Sequence, residues 1–471
     1  MHSKSVRDQV LTVAQMQMAE RDLIDAGITV DELMRRAGEG AADWVWRLAA
    51  GRPVTVLCGP GNNGGDGYVI AAEIAKRGAD VKVVAPIAPA TDAARNAARN
   101  FNGSVSDLSS KAHGEVLVDC LFGSGLTRPL SDPLDKLLGE LWNSHRKRIA
   151  TDLASGVAAD TGKLLAADAE LRVYDMTIAL GAWKRAHWTG PAASHCGRKV
   201  LVDIGIENQS VHEQAFARPK IEPLPRETHK YRRGLVAVVA GEMPGAATLA
   251  AIAAMGAGAG HVKLLGDGPF NGLPADLVTD TGLLSDSLAD DRIDAVLVGP
   301  GLGRSSIARD RVCAVLESDR PAVLDADALM LLDPDLLEGM DTSQIVITPH
   351  EGELATLCSS FGVQGTDKRS RARDLAEATG LTVLAKGPDT ILCAEQEVGY
   401  FPRGSQWLSV AGSGDVLAGI VASRLAAGHG DPLVAAGEAV WIHHAAARHA
   451  GVAFSASKLA HSVSSAYATF L

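Results

Sequence analysis

The stretch Val54-Thr55-Val56-Leu57-Cys58-Gly59-Pro60-Gly61-Asn62-Asn63-Gly64-Gly65-Asp66-Gly67 decides the reading of the first half of the chain. The segment Val54–Cys58 has the composition of a buried strand, and Tyr68–Arg77 after the glycines reads as a helix. Gly59, Gly61 and Gly64 satisfy the spacing of a dinucleotide-binding turn. Two features point elsewhere. Asp80, near the expected acidic offset, begins the next strand instead of ending it, and the loop carries two asparagines and an aspartate. No GK[ST] follows, so a Walker A loop is excluded. What remains is a row of backbone N–H groups at a helix N-terminus, a phosphate cradle whose amide oxygens could also hold a hard cation.

Outward from this loop, short apolar strands alternate with helical patterns, the signature of α/β layers on parallel sheets. Val81–Ala85, Val116–Cys120 and Ile149–Asp152 are the further strands expected in the first half, and Leu11 to Leu48 reads as helices with Trp44 and Trp46 in the core. Three prolines in Ala217–Arg226 interrupt the periodicity, which marks a linker. Beyond it the alternation restarts at Leu235–Ala240, His261–Leu265, Ala295–Val298, Ala322–Asp325, Ile345–Thr348 and Thr382–Ala385. Two α/β domains follow, roughly residues 1–216 and 225–471, with no sequence repeat between them.

The bulk composition agrees. With 46% hydrophobic residues but only 4% aromatic, and 49 glycines in 471 residues, the chain suits tightly packed helices against parallel sheets. The net charge of −11 and the lack of a dense basic run argue against a nucleic-acid partner. His145-Arg146-Lys147-Arg148 reads as a solvated helix end. No apolar stretch approaches the ~20 residues of a membrane span. The N-terminus MHSKSVRDQV lacks a signal-peptide core, and six scattered cysteines favour reduced thiols in the cytosol.

In the second half the strongest motif is Val410-Ala411-Gly412-Ser413-Gly414-Asp415-Val416-Leu417-Ala418-Gly419. Its glycines let amides crowd an anion at a helix start, where Asp415 could take a proton from a substrate hydroxyl. Alone, the motif reads equally as an Asp cap after a glycine turn. Gly299–Gly303, Thr348–Glu353 and Lys386–Thr390 change that balance, because each follows an apolar strand. Ligands of α/β sheets bind at those strand ends, and Lys386 offers a cation for nucleotide phosphates.

These residues carry two resemblances. GPGNNGGDG, Val118–Arg128 (VDCLFGSGLTR) and Asp152–Gly156 (DLASG), together with the helices at Leu11–Met16 and Leu33–Gly38, resemble the NAD(P)H-hydrate epimerase family. A Rossmann-like three-layer fold is implied. So is a hydrated nicotinamide nucleotide held by Asn62, Asn63, Gly64, Gly65 and Asp66, by Gly123, Ser124, Gly125, Leu126, Thr127, Arg128 and Pro129, and by Asp152. The resemblance also implies a potassium ion on oxygens of Asn63, Asp119 and Ser155, hard ligands suited to it. Inversion at C6 of the ring needs an acid/base carboxylate, and Asp119 and Asp152 are the candidates. Ala154 replaces the proline usual in the DxPSG motif.

The second half resembles the ribokinase-like superfamily, in its ADP/ATP-dependent NAD(P)H-hydrate dehydratase branch. VGPGLG, DADAL (Asp325–Leu329), TPHEGE, GSGDVLAG and the segment Pro244–Gly260 carry it. Asp415 is then the base that activates the C6 hydroxyl for attack on the donor's terminal phosphate. Lys386, Gly387, Pro388, Asp389, Thr390 and Gly414 would hold ADP (or ATP), and Ala254, Gly303, His350 and Asp415 would line the hydrate site. Magnesium is plausible on the donor phosphates, with none of Asp325, Asp327 and Glu353 assigned as its ligand. The substrates implied are the NADH and NADPH hydrates, and a homo-oligomer is expected. The alternative is a small-alcohol kinase using the same Asp415, its first domain a non-catalytic binding module. His443, His444 and His449 are one, five and six apart, which is not metal-ligand spacing on a helix. Trp183–Trp188 (WKRAHW) reads as a mobile loop.

Overall fold

The computed structural model describes residues 8–107, 114–166, 172–225, 227, 230–268, 270, 272–429 and 431–471; Arg226 and the first seven residues, read above for linker and leader, lie outside them. The chain divides into two compact units, Met1–Ala215 and Phe216–Leu471. Ala217–Pro225 is not a free tether. Ile221 is buried in the core of the second unit, and its N–H donates to the Phe470 carbonyl at 2.7 Å.

The first unit is built on β1 (Val54–Cys58), β2 (Val81–Val84), β3 (Ser104–Ser106), β4 (Val116–Cys120), β5 (Lys147–Thr151), β6 (Met176–Leu180) and β7 (Arg198–Val202). They form one parallel sheet in the order β3-β2-β1-β4-β5-β6-β7, reversing direction of growth between β1 and β4. In α/β sheets such a switch point opens a crevice at the carboxyl ends of the strands. Strand residues alternate between two faces. Val54, Val56 and Cys58 pack under Val13–Asp25, Val30–Ala49 and Asn62–Lys76, whereas Leu57, Leu117 and Leu121 meet the helix Asp132–Ser144. Trp44 and Trp46 are half-buried against the first of these layers. β8 (Glu213–Ala215) ends the unit, bridging back to Gln9.

The basic stretch at 145–148 does follow a helix end, with His145 the C-cap of Asp132–Ser144 and Arg146 and Lys147 exposed, but it is solvated only in part. His145 is buried and its Nε2 lies 2.8 Å from Thr55 Oγ1, while Lys147 and Arg148 open β5. A buried imidazole that satisfies a buried threonine hydroxyl costs less than either group left alone.

The second unit continues with β9 (Leu235–Val239), β10 (His261–Leu265), β11 (Val278–Asp280), β12 (Ala295–Val298), β13 (Ala322–Leu324), β14 (Ile345–Ile347), β15 (Thr382–Ala385), β16 (Ile391–Ala394) and β17 (Glu397–Tyr400). Their order is β11-β10-β9-β12-β13-β14-β15-β16-β17, parallel through β15 and antiparallel from there to β17. One face is covered by the helices Pro244–Gly256, Ser413–Arg424, Pro432–Ala450 and Ala456–Tyr467, whose packed residues are largely alanine. Small residues let the helices approach closely. A Cβ on Gly419 would sit 2.0 Å from the Ala250 carbonyl oxygen, so only glycine fits that crossing. Among the described residues no helix is long and apolar enough to cross a membrane. All six cysteines are free thiols.

Candidate active sites

The first glycine loop is helix rather than loop. Gly61 caps a helix that starts at Asn62, so Asn62–Gly67 form its first turns instead of preceding it. Sequence reading places the start six residues later because asparagine and glycine are poor helix formers. Crowding overrides that propensity: a Cβ on Gly64 would stand 1.9 Å from the Gly59 carbonyl oxygen. Asn62 Oδ1 is used internally, accepting from Thr91 Oγ1 at 2.8 Å. The side-chain nitrogen and oxygen of Asn63, in contrast, are buried with no hydrogen-bond partner among the described residues.

Asp119 and Asp152 stand at the ends of β4 and β5, yet their surroundings differ. Asp119 is fully buried and accepts from the Leu121 N–H (3.1 Å), the Ser155 N–H (3.1 Å), Ser155 Oγ (2.7 Å) and Tyr174 Oη (2.5 Å). Burial holds its carboxyl above the usual range in spite of those donors. Asp152 has φ +62°, a strained conformation for a residue other than glycine. Its Oδ1 meets Lys184 Nζ at 2.6 Å, and its Oδ2 accepts from the Ser124 N–H at 2.8 Å. Burial alone would raise this carboxyl, but the Lys184 ammonium reverses the effect and holds it below the ordinary value. Asp66 is pushed the other way, well above that value, by burial and by the charges of Asp152 and Glu20. Gly123 closes the group: a Cβ there would lie 2.8 Å from Asp152 Oδ2 and 3.2 Å from Asn63 Cγ. Gly125, Thr127, Arg128 and Pro129 continue as exposed loop, with Leu126 turning back on the Gly123 carbonyl.

Lys184 corrects the reading of WKRAHW as a mobile loop. Trp183, Lys184, Ala186, His187 and Trp188 are all buried, and Trp183 packs edge-on against both His187 and Trp188. His187 Nε2 holds the Asp152 carbonyl at 2.8 Å, and burial pushes its imidazole down to about 4. The available signal was positional. Lys184 follows the strand Met176–Leu180, whose carboxyl end faces the same crevice.

In the second unit, the helix Ser413–Arg424 begins after Gly412 and carries Asp415 in its first turn. Burial pushes the Asp415 carboxyl up to about 6, with the Asp325 carboxylate adding to the rise and the Lys386 ammonium opposing it. Lys386 Nζ is fixed at 2.6 Å from Asp325 Oδ1, which also accepts from Thr348 Oγ1 at 2.7 Å. A cavity of about 490 Å³ beside them is lined by Lys386, Gly387, Pro388, Thr390, Ser413 and Gly414, and by His443 and His444. Burial pushes these histidines down to about 3 and about 4, so both are neutral and form a wall rather than a charged site. No cluster of three or more His, Cys, Asp or Glu fit for a metal occurs among the described residues. Asp389 Oδ1 accepts from Lys368 Nζ at 3.0 Å, a cation the sequence reading missed.

The residues expected around the hydrate divide in position. Gly303 is buried, donating its N–H to Asp327 Oδ2 at 3.0 Å, and His350 is exposed while its Nδ1 caps the helix Glu351–Ser360. Ala254 is not at the sheet's carboxyl edge. It lies fully buried ten residues into its helix, about 15 Å along the axis from the helix start, with its methyl group in the apolar core.

Two fused α/β units, each gathering its polar motifs at the carboxyl edge of a parallel sheet, define a two-domain protein of nucleotide chemistry. The sequence matches the family model described as YjeF-related protein N-terminus over residues 30–186, and the one described as NAD(P)H-hydrate dehydratase over residues 236–468. It is 34% identical to the bifunctional NAD(P)H-hydrate repair enzyme Nnr of Gloeobacter violaceus over 95% of each chain. The enzyme of that name from Coxiella burnetii is 32% identical over 88% of this chain and 89% of the relative. Among solved structures, the ADP/ATP-dependent NAD(P)H-hydrate dehydratase of Bacillus subtilis co-crystallised with ATP/Mg2+ superposes with a TM-score of 0.45. That match is at 24% identity and covers 54% of this chain and 95% of that one. The chain belongs to the family of bifunctional NAD(P)H-hydrate repair enzymes.

Proposed function

We propose that the first unit interconverts the R and S forms of hydrated NADH and NADPH, and that the second dehydrates the S form with ADP as phosphoryl donor. The observation that carries this reading is Asp415: a half-buried carboxyl of raised pKa, at a helix start, beside a Lys386-lined cavity of about 490 Å³. A base poised near neutrality suits proton removal from a hydroxyl. Asp415 takes the C6 hydroxyl proton and the oxygen attacks the terminal phosphorus of ADP, releasing AMP. The ring nitrogen's lone pair then expels inorganic phosphate from C6, and loss of a C5 proton restores the C5–C6 double bond. Lys386 and the amides around Gly414 neutralise the phosphates in flight. Asp325, Asp327 and Glu353 are each engaged by protein donors, so magnesium would ride on the donor's own phosphates and water.

In the first unit we assign the acid/base role to Asp152 and a positioning role to Asp119, which four donors hold in place. C6 carries both a hydroxyl and the ring nitrogen. Asp152 takes the hydroxyl proton as the C6–N1 bond opens to an aldehyde, its electron pair staying on N1 in conjugation with the ring carboxamide. N1 then attacks the other face of the aldehyde, and the oxygen takes the proton back from Asp152. The unsatisfied amide of Asn63 is what a hard cation would complete, so Asn63, Asp119 and Ser155 would hold potassium, countering the substrate's negative charge. Gly123→Ala should slow epimerisation by about 10²-fold, because its methyl would displace Asp152. Consumption of pure R hydrate, followed with and without the substitution, measures this.

The decisive assay follows the near-ultraviolet absorbance of reduced nicotinamide as purified protein acts on mixed R and S hydrates with ADP or ATP. Complete recovery, faster than spontaneous epimerisation, is expected with ADP. Recovery that stalls once the S form is spent would reduce the first unit to a binding module. No recovery with either nucleotide would favour a small-alcohol kinase.

A further inference from the structure

A second cavity of the second unit, about 420 Å³, lies over the carboxyl ends of β9, β10 and β12 and is lined by Glu242, Asp267, Leu302, Ser305 and Arg311 among others. Among the described residues it shares no lining residue with the Lys386 cavity. A groove of about 580 Å³ along the helix Pro244–Gly256 shares Pro244 and Phe270 with the Arg311 cavity and is walled lower down by Leu249. The Arg311 cavity also adjoins Gly303: Glu242 and Leu302 line it, and a Cβ on Gly303 would stand 2.3 Å from Glu242 Cδ. Gly303 donates to Asp327 Oδ2, and Asp327 is near enough to Asp415 for its charge to help raise that carboxyl. The Arg311 cavity therefore borders the Gly303 side of the proposed hydrate site.

The chemistry at the far end is particular. Arg311 is anchored by donating to the Ala240 carbonyl at 2.7 Å and is paired with Asp267, its side chain 16% exposed against 82% for the aspartate. Glu242 adds a second carboxylate to the lining, so the cavity holds two acids to one guanidinium. A carboxylate immediately after a parallel strand is placed to accept from ribose hydroxyls and repels a phosphate on the same sugar.

We propose that this cavity seats the adenosine ribose of the hydrated dinucleotide, and that Asp267 makes the enzyme prefer the hydrate of NADH over that of NADPH. The inference rests on the dehydratase reading above. Asp267 acts twice, offering its free oxygen to the ribose and neutralising the cation that would otherwise welcome a 2′-phosphate.

The test compares kcat/KM for the S hydrates of NADH and NADPH, each as sole substrate with ADP, on the full chain. The wild type should favour the NADH form by about tenfold, and Asp267→Ser should move the ratio about tenfold toward the NADPH form, chiefly through KM. Adding Arg311→Met to Asp267→Ser should cancel that gain. If both hydrates are dehydrated equally well and Asp267→Ser leaves the ratio unmoved, the subsite is wrong and the dehydratase stands. If the wild type dehydrates neither hydrate, both fall.

Discussion

Asp415→Asn should lower ADP-dependent dehydration by about 10³-fold while leaving R-to-S interconversion at its wild-type rate. Loss of a positioned general base costs 10²–10⁴-fold in rate, and the amide keeps the volume of the carboxyl while losing its basicity. A coupled assay on S hydrate gives the first number and an assay on R hydrate the second. Equal loss of both activities would overturn the division of labour between the units. The wild-type pH profile supplies an independent check. The base must be ionised, and burial with the Asp325 charge places its pKa at about 6, so kcat/KM should rise through that pH and level off above it. In stability the sign is opposite. A carboxyl whose folded pKa exceeds its unfolded value favours the native state when protonated, and that contribution is lost as pH rises through about 6. The asparagine variant should therefore be the more stable protein at pH 7 by about 1–2 kcal/mol, after discounting for the partial exposure of the site. The two should converge only below about pH 3, where Asp415 is neutral in the folded and the unfolded state alike.

How much of this was legible in sequence differs between backbone and site. Strands of continuous apolar residues capped by glycine or aspartate, such as Val54–Cys58 and Val116–Cys120, announced a parallel sheet because both faces are buried. Met176–Leu180 is equally apolar but lacks a neighbouring motif, and the antiparallel pair Ile391–Ala394 and Glu397–Tyr400 joins too tightly to stand out. Motif residues such as Asp152 and Lys386 lie at strand ends, so their sequence neighbours placed them. Partners from other strands could not be placed that way. Lys184 reaches Asp152 across 32 residues, and Asp325 reaches Lys386 across 61. Only parallel pairing brings such ends together, and which side chain turns inward depends on packing that no local pattern encodes. Ala254 shows the converse failure: a motif position was read as contact although its helix carries it away from the sheet edge.

Lys184→Met should have the largest structural effect of any single change in the first unit, and it separates the roles of its neighbours. The Lys184 side chain is 2% exposed, and its ammonium bonds Asp152 Oδ1 at 2.6 Å and the Leu180 carbonyl at 2.8 Å. Methionine fills the space but leaves Asp152 as a buried carboxylate without its cation, a loss of about 3–5 kcal/mol. Since the lysine is what depresses the Asp152 pKa, the variant should also reverse its pH response. In the wild type, ionised Asp152 stabilises the fold at neutral pH, a contribution lost as pH falls through its depressed folded pKa. In the variant the carboxyl must be protonated to remain buried, so the first unit should become more stable on mild acidification. Denaturant melts of the two proteins at neutral and acidic pH measure both claims. Removing the charge as well, in Lys184→Met/Asp152→Asn, should restore most of the stability and none of the epimerase activity. An active double variant would show that neither group carries the proton and return the role to Asp66 or Asp119. Restored folding without activity would separate what the ion pair does for the fold from what Asp152 does for the ring.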